Sequence, residues 1–335
     1  MSKSNISSVT NPYRELQPQF FLGRAMPKAV RKATIALPAI KLVVAVTLCL
    51  EVECFPVDAI PIKEAIAPRR FVDWCLNQAK LPSQTRHTVA VLLQTAGTQD
   101  CKQADNKLST LTTISLYSYQ IADIKPLSSL THITDLYLKG NQIADIKPLS
   151  SLINLTHLYL SENQIADIKP LSSLTNLTEL SLDSNQIADI KPLSSLTKLT
   201  YLNLSENRII EIKPLSSLTN LTLLRLSSNQ IADIKPLSSL INLTFLSLNS
   251  NQIADIKPLS SLINLTDLYL YSNQITDIKP LSSLINLTDL SLGSNRITEI
   301  KPLSSLTKLT LLYLSDNQTL TNKTCPVKPE SICKF

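Results

Sequence analysis

The side chains best suited to chemistry in this sequence recur at an interval of 22 residues. Tyr137 and Tyr159 are separated by that interval, and so are Asp267 and Asp289. Phenol rings and carboxylates repeated along one surface supply stacking, hydrogen bonding and ion pairing. Covalent catalysis would instead require a nucleophile beside a base, and no such pair stands out from the pattern. The predicted chemistry is therefore recognition of a partner.

The composition disfavours several classes of enzyme. The chain has 335 residues but only four glycines, and no two of them are close enough to form a Gly-rich phosphate-binding loop. None of the three histidines, His87, His132 and His157, stands near a cysteine at the spacing of a zinc site. We therefore expect that the protein is not an enzyme and that it holds no metal and no cofactor.

The 22-residue interval is the period of an internal repeat. Nine full copies run from Leu111 to Lys308, and a truncated tenth copy ends near Leu320. Residues 155–176 read LTHLYLSENQIADIKPLSSLTN, and the copies share the pattern LxxLxLxxNxIxxIxPLxxLxx. Repeats of this length indicate stacked units that share one core, because a single unit buries too little apolar surface to fold alone. Positions are numbered below from the first leucine of each copy.

Each copy predicts a strand, a turn and a short return segment. The first half alternates apolar and polar residues, which is typical of a strand. In the second half of the third copy, Asp167 can cap a short helical turn and Pro170 lies near its start. Seven apolar positions recur in every copy and should form the core. In the third copy they are Leu155, Leu158, Leu160, Ile165, Ile168, Leu171 and Leu174.

An asparagine occupies position nine of every copy except the first. Its amide can bond backbone groups of its own turn and of the neighbouring turn, as in Asn163. The first copy has Tyr119 at this position. We therefore expect the first turn to contact a different neighbour, an N-terminal cap.

The repeat resembles the leucine-rich repeats of the bacterial internalin-like class, which have a 22-residue unit and an N-x-I-x-D-I-x-P-L return segment. The resemblance covers residues 111–320. It implies an α/β fold, a right-handed leucine-rich-repeat solenoid. In such a solenoid a parallel β-sheet lines the concave face and short helical or 3-10 return segments line the convex face. A small helical N-terminal cap is expected before the first repeat.

The chain divides into four predicted segments. Residues 1–59 form a leader, 60–110 a helical cap, 111–320 the repeats, and 321–335 a Cys-bracketed tail.

The leader has the layout of a secretory signal. Basic residues precede an apolar run at 42–50, and a small-residue cleavage site lies near Ala59. Met26 is an alternative start, and an uncleaved signal anchor is the alternative interpretation. The run is too short to span a bilayer comfortably, so no stable membrane span is expected after cleavage. We expect an exported protein that is periplasmic, at the cell surface or extracellular.

The predicted cap contains an apolar stripe formed by Phe71, Trp74, Cys75 and Ala79. Ser83 is expected to cap a second helix that ends at Gly97.

Removal of the leader leaves four cysteines, which in an exported protein predict disulfides. The simplest pairing is Cys75 with Cys101 and Cys325 with Cys333, although four cysteines allow three connectivities. The cap and the tail resemble those of exported bacterial proteins of this family.

Positions three, five, seven and eight vary among copies whose other positions barely change. They fall on the concave face of the predicted sheet, where neighbouring strands lie about 4.8 Å apart. Tyr137 and Tyr159 should therefore lie side by side, and Phe245, Tyr269 and Tyr271 should form a second group. The candidate partner-binding residues are Tyr137, His157, Tyr159, Glu179, Tyr201, Arg225, Phe245, Asp267, Tyr269, Tyr271, Asp289 and Tyr313.

The formal net charge of +6 would by itself favour an acidic partner such as nucleic acid. Residues 111–320, however, carry 15 Lys or Arg and 17 Asp or Glu, so the excess charge lies outside the repeats. On the concave positions only Lys139 and Arg225 oppose the acids. This distribution argues against nucleic acid as the partner and favours a protein with a neutral or basic surface.

We therefore predict an exported, monomeric protein-binding scaffold. One alternative is a carbohydrate-binding or adhesion protein of the cell envelope, since tyrosines also stack on sugars. The other is an intracellular regulatory solenoid, which would require the leader to be misread.

Overall fold

The computed structural model describes residues 70–335. The predicted leader at 1–59, the alternative start at Met26 and the cleavage site near Ala59 lie outside the described residues. The first ten residues of the predicted cap lie outside them as well.

Within the described residues, three helices precede the first repeat. They are α1 (Phe71–Leu76), α2 (Ser83–Ala96) and α3 (Cys101–Leu108), with a 3-10 turn at Gln78–Lys80 between α1 and α2. Helix α2 ends at Gly97, whose φ of +63° is left-handed and suits a residue without Cβ. The side chain of Asp100 caps α3 by accepting a hydrogen bond from the backbone N–H of Gln103 at 2.8 Å.

Two predictions for the cap are wrong. Ala79 is exposed and does not continue the apolar stripe. Helix α1 ends at Leu76 because the side-chain amide of Asn77 donates a hydrogen bond to the carbonyl of Asp73 at 2.9 Å, closing the last turn. Ser83 is the first residue of α2 and not its cap, since Pro82 occupies the N-cap position.

Eleven short strands form one parallel sheet in chain order. Each strand of the repeats pairs with the next at a shift of 22 residues, so that Leu136 stands opposite Leu158. The strands are β1 (Thr113–Ser115), β2 (Asp135–Tyr137), β3 (His157–Tyr159), β4 (Glu179–Ser181), β5 (Tyr201–Asn203), β6 (Leu223–Arg225), β7 (Phe245–Ser247), β8 (Asp267–Tyr269), β9 (Asp289–Ser291), β10 (Leu311–Tyr313) and β11 (Cys333–Lys334).

The return segments are 3-10 helices of five residues with proline near the start. The prediction that Asp167 caps this segment in the third copy is wrong, because Ile168 occupies the N-cap position; Asp167 precedes it and accepts a hydrogen bond from the backbone N–H of Lys169 at 2.9 Å. The nine segments are Lys125–Ser129, Lys147–Ser151, Lys169–Ser173, Lys191–Ser195, Lys213–Ser217, Lys235–Ser239, Lys257–Ser261, Lys279–Ser283 and Lys301–Ser305. A further 3-10 turn, Glu330–Ile332, lies in the tail.

The interior of the solenoid is apolar except for a ladder of asparagines. The seven predicted core positions of the third copy are all buried. The Oδ1 of Asn163 accepts a hydrogen bond from the N–H of Ile143 at 3.0 Å, and its Nδ2 donates to the carbonyls of Leu138 and Leu160 at 3.0 Å. Each rung thus bonds its own turn and the preceding one, as predicted, and fixes the spacing of the repeats.

The helical cap packs on the first repeat. Imidazole Nε2 of His87 lies 2.6 Å from the carbonyl oxygen of Tyr119, which confirms that this turn faces the cap. The hydroxyls of Thr85 and Thr88 donate to the carboxylate and the carbonyl of Asp123 at 2.5 and 2.7 Å.

Both predicted disulfides are present. One joins Cys75 to Cys101 within the cap, and the other joins Cys325 to Cys333 in the tail. The tail strand β11 pairs with β10, so the tail covers the last repeat.

Candidate binding surface on the concave face

The alternation of each strand decides which side chains reach the concave face. In β3 the buried Leu158 points into the core, while the half-buried His157 and Tyr159 point outward. All twelve predicted residues occupy outward positions. Eleven of them are half-buried, and Tyr313 is exposed.

A row of tyrosines crosses the first three repeats. The ring centroids of Tyr137 and Tyr159 lie 4.9 Å apart with their planes 6° from parallel, which confirms that these two rings lie side by side. The ring of Tyr117 lies 5.5 Å from that of Tyr137 and extends the row. Burial, and secondarily Tyr137, raises the pKa of the Tyr117 phenol. The twelve predicted residues omitted Tyr117, although it occupies variable position seven and could have been found by that signal.

The acids beside this row have partners within the chain. Nδ1 of His157 lies 2.7 Å from a carboxylate oxygen of Asp135 and its Nε2 lies 3.9 Å from one of Glu179. The hydroxyl of Tyr159 donates a hydrogen bond to Glu179. Burial, and then this contact with the carboxylate, raises the pKa of Tyr159, because the phenolate would be poorly solvated and repelled. The tyrosines and acids here therefore form a preorganised network.

A second aromatic group lies on β6 to β8. The ring centroids of Phe245 and Tyr269 are 5.3 Å apart and tilted by 41°. The guanidinium carbon of Arg225 lies 4.5 Å from the centroid of Phe245, in cation–π geometry. The ring of Tyr271 lies over Gly293 of the next repeat, where a Cβ would fall 3.0 Å from the ring. Gly293 therefore makes room for Tyr271.

Two carboxylates on β8 and β9 border this second group. Asp267 stands opposite Asp289 in the sheet register, and Thr266 donates a hydrogen bond to Asp267 at 2.6 Å. Oδ1 of Asp289 is buried and has no hydrogen-bond partner within residues 70–335. Burial is the main cause of a raised pKa at Asp289. A hydrogen bond with Tyr269 opposes the increase and the charge of Asp267 adds to it. Unlike the acids near Tyr159, Asp289 has an acceptor oxygen that remains unused.

Contacts on this face also run diagonally. Tyr159 bonds Glu179, and Arg225 stacks on Phe245, each across 20 residues rather than 22. Both join position five of one strand to position three of the next. A diagonal neighbour is within reach of long and aromatic side chains. Apart from the grouping of Phe245 with Tyr269 and Tyr271, the sequence predicted neighbours at the repeat period and missed these contacts across 20 residues.

The remaining predicted residues extend the surface. Tyr201 lies on β5 between the two aromatic groups, and Tyr313 lies on β10 beyond the second. At the edge of the first group, Nζ of Lys139 lies 3.0 Å from Glu162, and this partner raises the pKa of the lysine.

Two general features of the described residues bear on the kind of site present. Between residues 70 and 335, no group of three or more His, Cys, Asp and Glu residues is placed to hold a metal ion. No helix in the same range is long and apolar enough to cross a membrane.

The repeat sequence matches a known family. A family model that describes a pair of leucine-rich repeats matches the chain three times, at residues 153–195, 197–239 and 241–283. No curated protein sequence matches the chain.

Solved structures of similar proteins include two from Listeria monocytogenes. Internalin C2 is 37% identical with a TM-score of 0.57, and the match covers 60% of this chain and 90% of that one. The functional domain of InlJ, which includes a cysteine ladder, is 33% identical with a TM-score of 0.59, covering 64% of this chain and 46% of that one. A plant peptide hormone receptor, RGFR1, was solved in complex with RGF2. It is 26% identical with a TM-score of 0.56, and the match covers 62% of this chain and 36% of that one. With its repeat period, return segment and match to internalin C2, the chain belongs to the internalin-like leucine-rich-repeat proteins.

Proposed function

We propose that this protein is an exported scaffold that binds a protein partner through the concave face of its solenoid. The observation that carries the proposal is the placement of its aromatic side chains. The repeats hardly vary at core positions, whereas Tyr and Phe are concentrated on the outward positions of the sheet. Aromatic side chains on a rigid surface are typical of the residues that contribute most to protein–protein affinity.

The construction of the solenoid supports this role. The asparagine ladder and the shared core hold the strands in a fixed arrangement, and stacking and hydrogen bonds already order Tyr137, Tyr159 and Tyr269. A preorganised surface loses little conformational entropy on binding, so more of the contact energy contributes to affinity.

The charge of the face supports a neutral or basic protein surface as the partner. The outward acids outnumber Lys139 and Arg225, and phosphates would meet repulsion there. The similar plant receptor was solved in complex with RGF2, which is an example of a comparable solenoid with a bound ligand.

Two observations support export. The disulfides Cys75–Cys101 and Cys325–Cys333 are typical of oxidising compartments. The apolar run at 42–50 with its preceding basic residues has the layout of a secretory signal.

The proposal is tested by capturing partners from the native host on the wild-type protein and on the double variant Tyr269→Ala, Tyr271→Ala. We expect the variant to bind the captured partner at least about tenfold more weakly, because both rings are accessible anchors. Its melting temperature should stay unchanged. The matched control is Lys235→Ala, Lys257→Ala on the convex return segments, which should bind normally. Equal affinity of the wild type and the tyrosine variant rejects the concave face as the binding surface, and binding to glycans alone on an array rejects a protein partner.

A further inference from the structure

A row of exposed isoleucines runs along one flank of the solenoid. Ile241, Ile263 and Ile285 occupy position 21 of three consecutive repeats, with 53%, 53% and 54% of their surface exposed. Five other copies have threonine at this position, namely Thr131, Thr175, Thr197, Thr219 and Thr307. The repeats are otherwise almost identical, so the solenoid itself does not need isoleucine here. We call Ile241, Ile263 and Ile285 the Ile row.

The Ile row immediately precedes, along the chain, the strands that carry the second aromatic group and its acids. Each isoleucine lies four residues before the first residue of β7, β8 or β9, which are Phe245, Asp267 and Asp289. The side-chain amide of Asn264 donates to the carbonyl of Ile241 at 2.9 Å, and Asn286 makes the same bond to Ile263. These bonds hold the joints in register, so the apolar row is a fixed feature of the surface.

The neighbouring concave positions favour a cation. Asp267 and Asp289 stand side by side in the sheet register, and both residues are half-buried at outward positions of the sheet. On the opposite side of this group, Arg225 already stacks on Phe245 at 4.5 Å. Guanidinium groups combine stacking on aromatic rings with paired hydrogen bonds to carboxylates, which ammonium groups cannot do equally well.

We propose that the Ile row and the second aromatic group form one continuous binding surface for a segment of the partner protein. The segment lays aliphatic side chains on the Ile row and directs an arginine towards Asp267 and Asp289. This inference rests on the proposed function, since it specifies which repeats the partner contacts and which chemistry it presents.

A second copy of the chain fits this surface poorly. A two-fold dimer would bring the same patch against itself. Asp267 and Asp289 would then approach their own copies, which like charges disfavour.

The test uses the triple variant Ile241→Thr, Ile263→Thr, Ile285→Thr. Threonine already occupies the same position in five repeats, so the variant should fold and melt like the wild type. The matched control is Ile153→Thr, because Ile153 occupies the same position and is 54% exposed but lies outside the row. The probe is a phage-displayed library of random 15-residue peptides, selected on the full wild-type chain.

We expect the selected peptides to combine aliphatic residues with arginine. They should lose at least about tenfold in affinity on the triple variant and remain within about twofold on Ile153→Thr. Peptides that are weakened by Tyr269→Ala but bind the triple variant normally would overturn the inference and leave the concave-face function standing. Peptides insensitive to both variants, or no binders at all, would overturn both. Concentration-dependent dimerisation of the wild type that the triple variant abolishes, measured by sedimentation, would assign the surface to a second copy and also overturn the inference.

Discussion

Substitution of a single rung of the asparagine ladder should destabilise the solenoid strongly. Asn207 is buried between the fourth and fifth repeats. Its Oδ1 accepts a hydrogen bond from the N–H of Ile187 at 2.9 Å, and its Nδ2 donates to the carbonyls of Leu182 and Leu204 at 3.0 and 3.1 Å. Asn207→Ala removes these three bonds and a fourth, from Nδ2 to the carbonyl of Ser205 at 3.1 Å, without offering water a route to the groups left behind.

The size of the effect follows from those groups. A buried polar group without a partner costs about 1–3 kcal/mol, and the N–H of Ile187 loses the acceptor that Asn207 supplies. The three carbonyls add smaller amounts, because an oxygen has two lone pairs. We expect a loss of about 3–5 kcal/mol in the free energy of unfolding, which is large compared with the 5–15 kcal/mol stability of typical domains.

The matched control is Asn220→Ala. Asn220 is exposed and donates one hydrogen bond, from Nδ2 to the carbonyl of Thr197 at 2.8 Å. Water can replace that bond, so the expected loss is about 0.5–1 kcal/mol. Urea unfolding followed by far-UV circular dichroism measures both variants, with the m-value checked for constancy. Equal midpoints for the two variants would refute the claim that buried ladder bonds hold the repeats together.

Three further predictions concern the first aromatic row and the cap. Glu179→Gln should lower the pKa of Tyr159, because the carboxylate that disfavours the phenolate is lost; an unchanged ultraviolet pH titration would contradict this. At Asp123, burial favours a higher pKa, but hydrogen bonds from Thr85 and Lys125 outweigh it and lower the pKa below its ordinary 3.8. The ionised carboxylate of Asp123 therefore stabilises the fold fully above about pH 4, and this stabilisation is lost as the pH falls through the lowered pKa. The variant Asp123→Asn should lack this loss of stability in acid. An equal loss of stability in the wild type and the variant would be evidence against the prediction. The double variant Cys75→Ser, Cys101→Ser should lose about 3.5 kcal/mol in urea unfolding, since the bridge closes a separation of 26 residues, and a loss below about 1 kcal/mol would exclude the entropic account.

The sequence alone was sufficient to predict the repeat architecture and its core. Leu158 and Leu160 are buried, and Asn163 bridges two turns, as their positions in the repeat indicated. This succeeded because every copy carries the same pattern, so one assignment of strand and return segment must suit all copies at once. The stacking of Tyr137 on Tyr159 followed from the same period.

The cap was harder to predict. Its helices carry a single copy of each signal, and the end of α1 depends on a bond from Asn77 to Asp73 that composition does not specify. The expected stripe through Ala79 failed for that reason. Position eight of the repeats was also not recognised: Glu162, Ser228 and Asp316 have φ of 55°, 55° and 58°, in the left-handed region that usually favours glycine. The glycine at this position in the second copy, Gly140 with φ of 72°, was the signal that could have predicted it.

The repeat period determined, from sequence alone, that this chain forms a solenoid and which side chains reach its concave face. Only the tertiary structure decided which of those side chains meet away from the 22-residue period. Contacts such as Tyr159 with Glu179 and Arg225 with Phe245 cross the sheet diagonally, and the buried Oδ1 of Asp289 has no hydrogen-bond partner among residues 70–335. These outcomes depend on how adjacent strands twist and how long side chains lean across them, which is a property of the assembled sheet and of no single repeat.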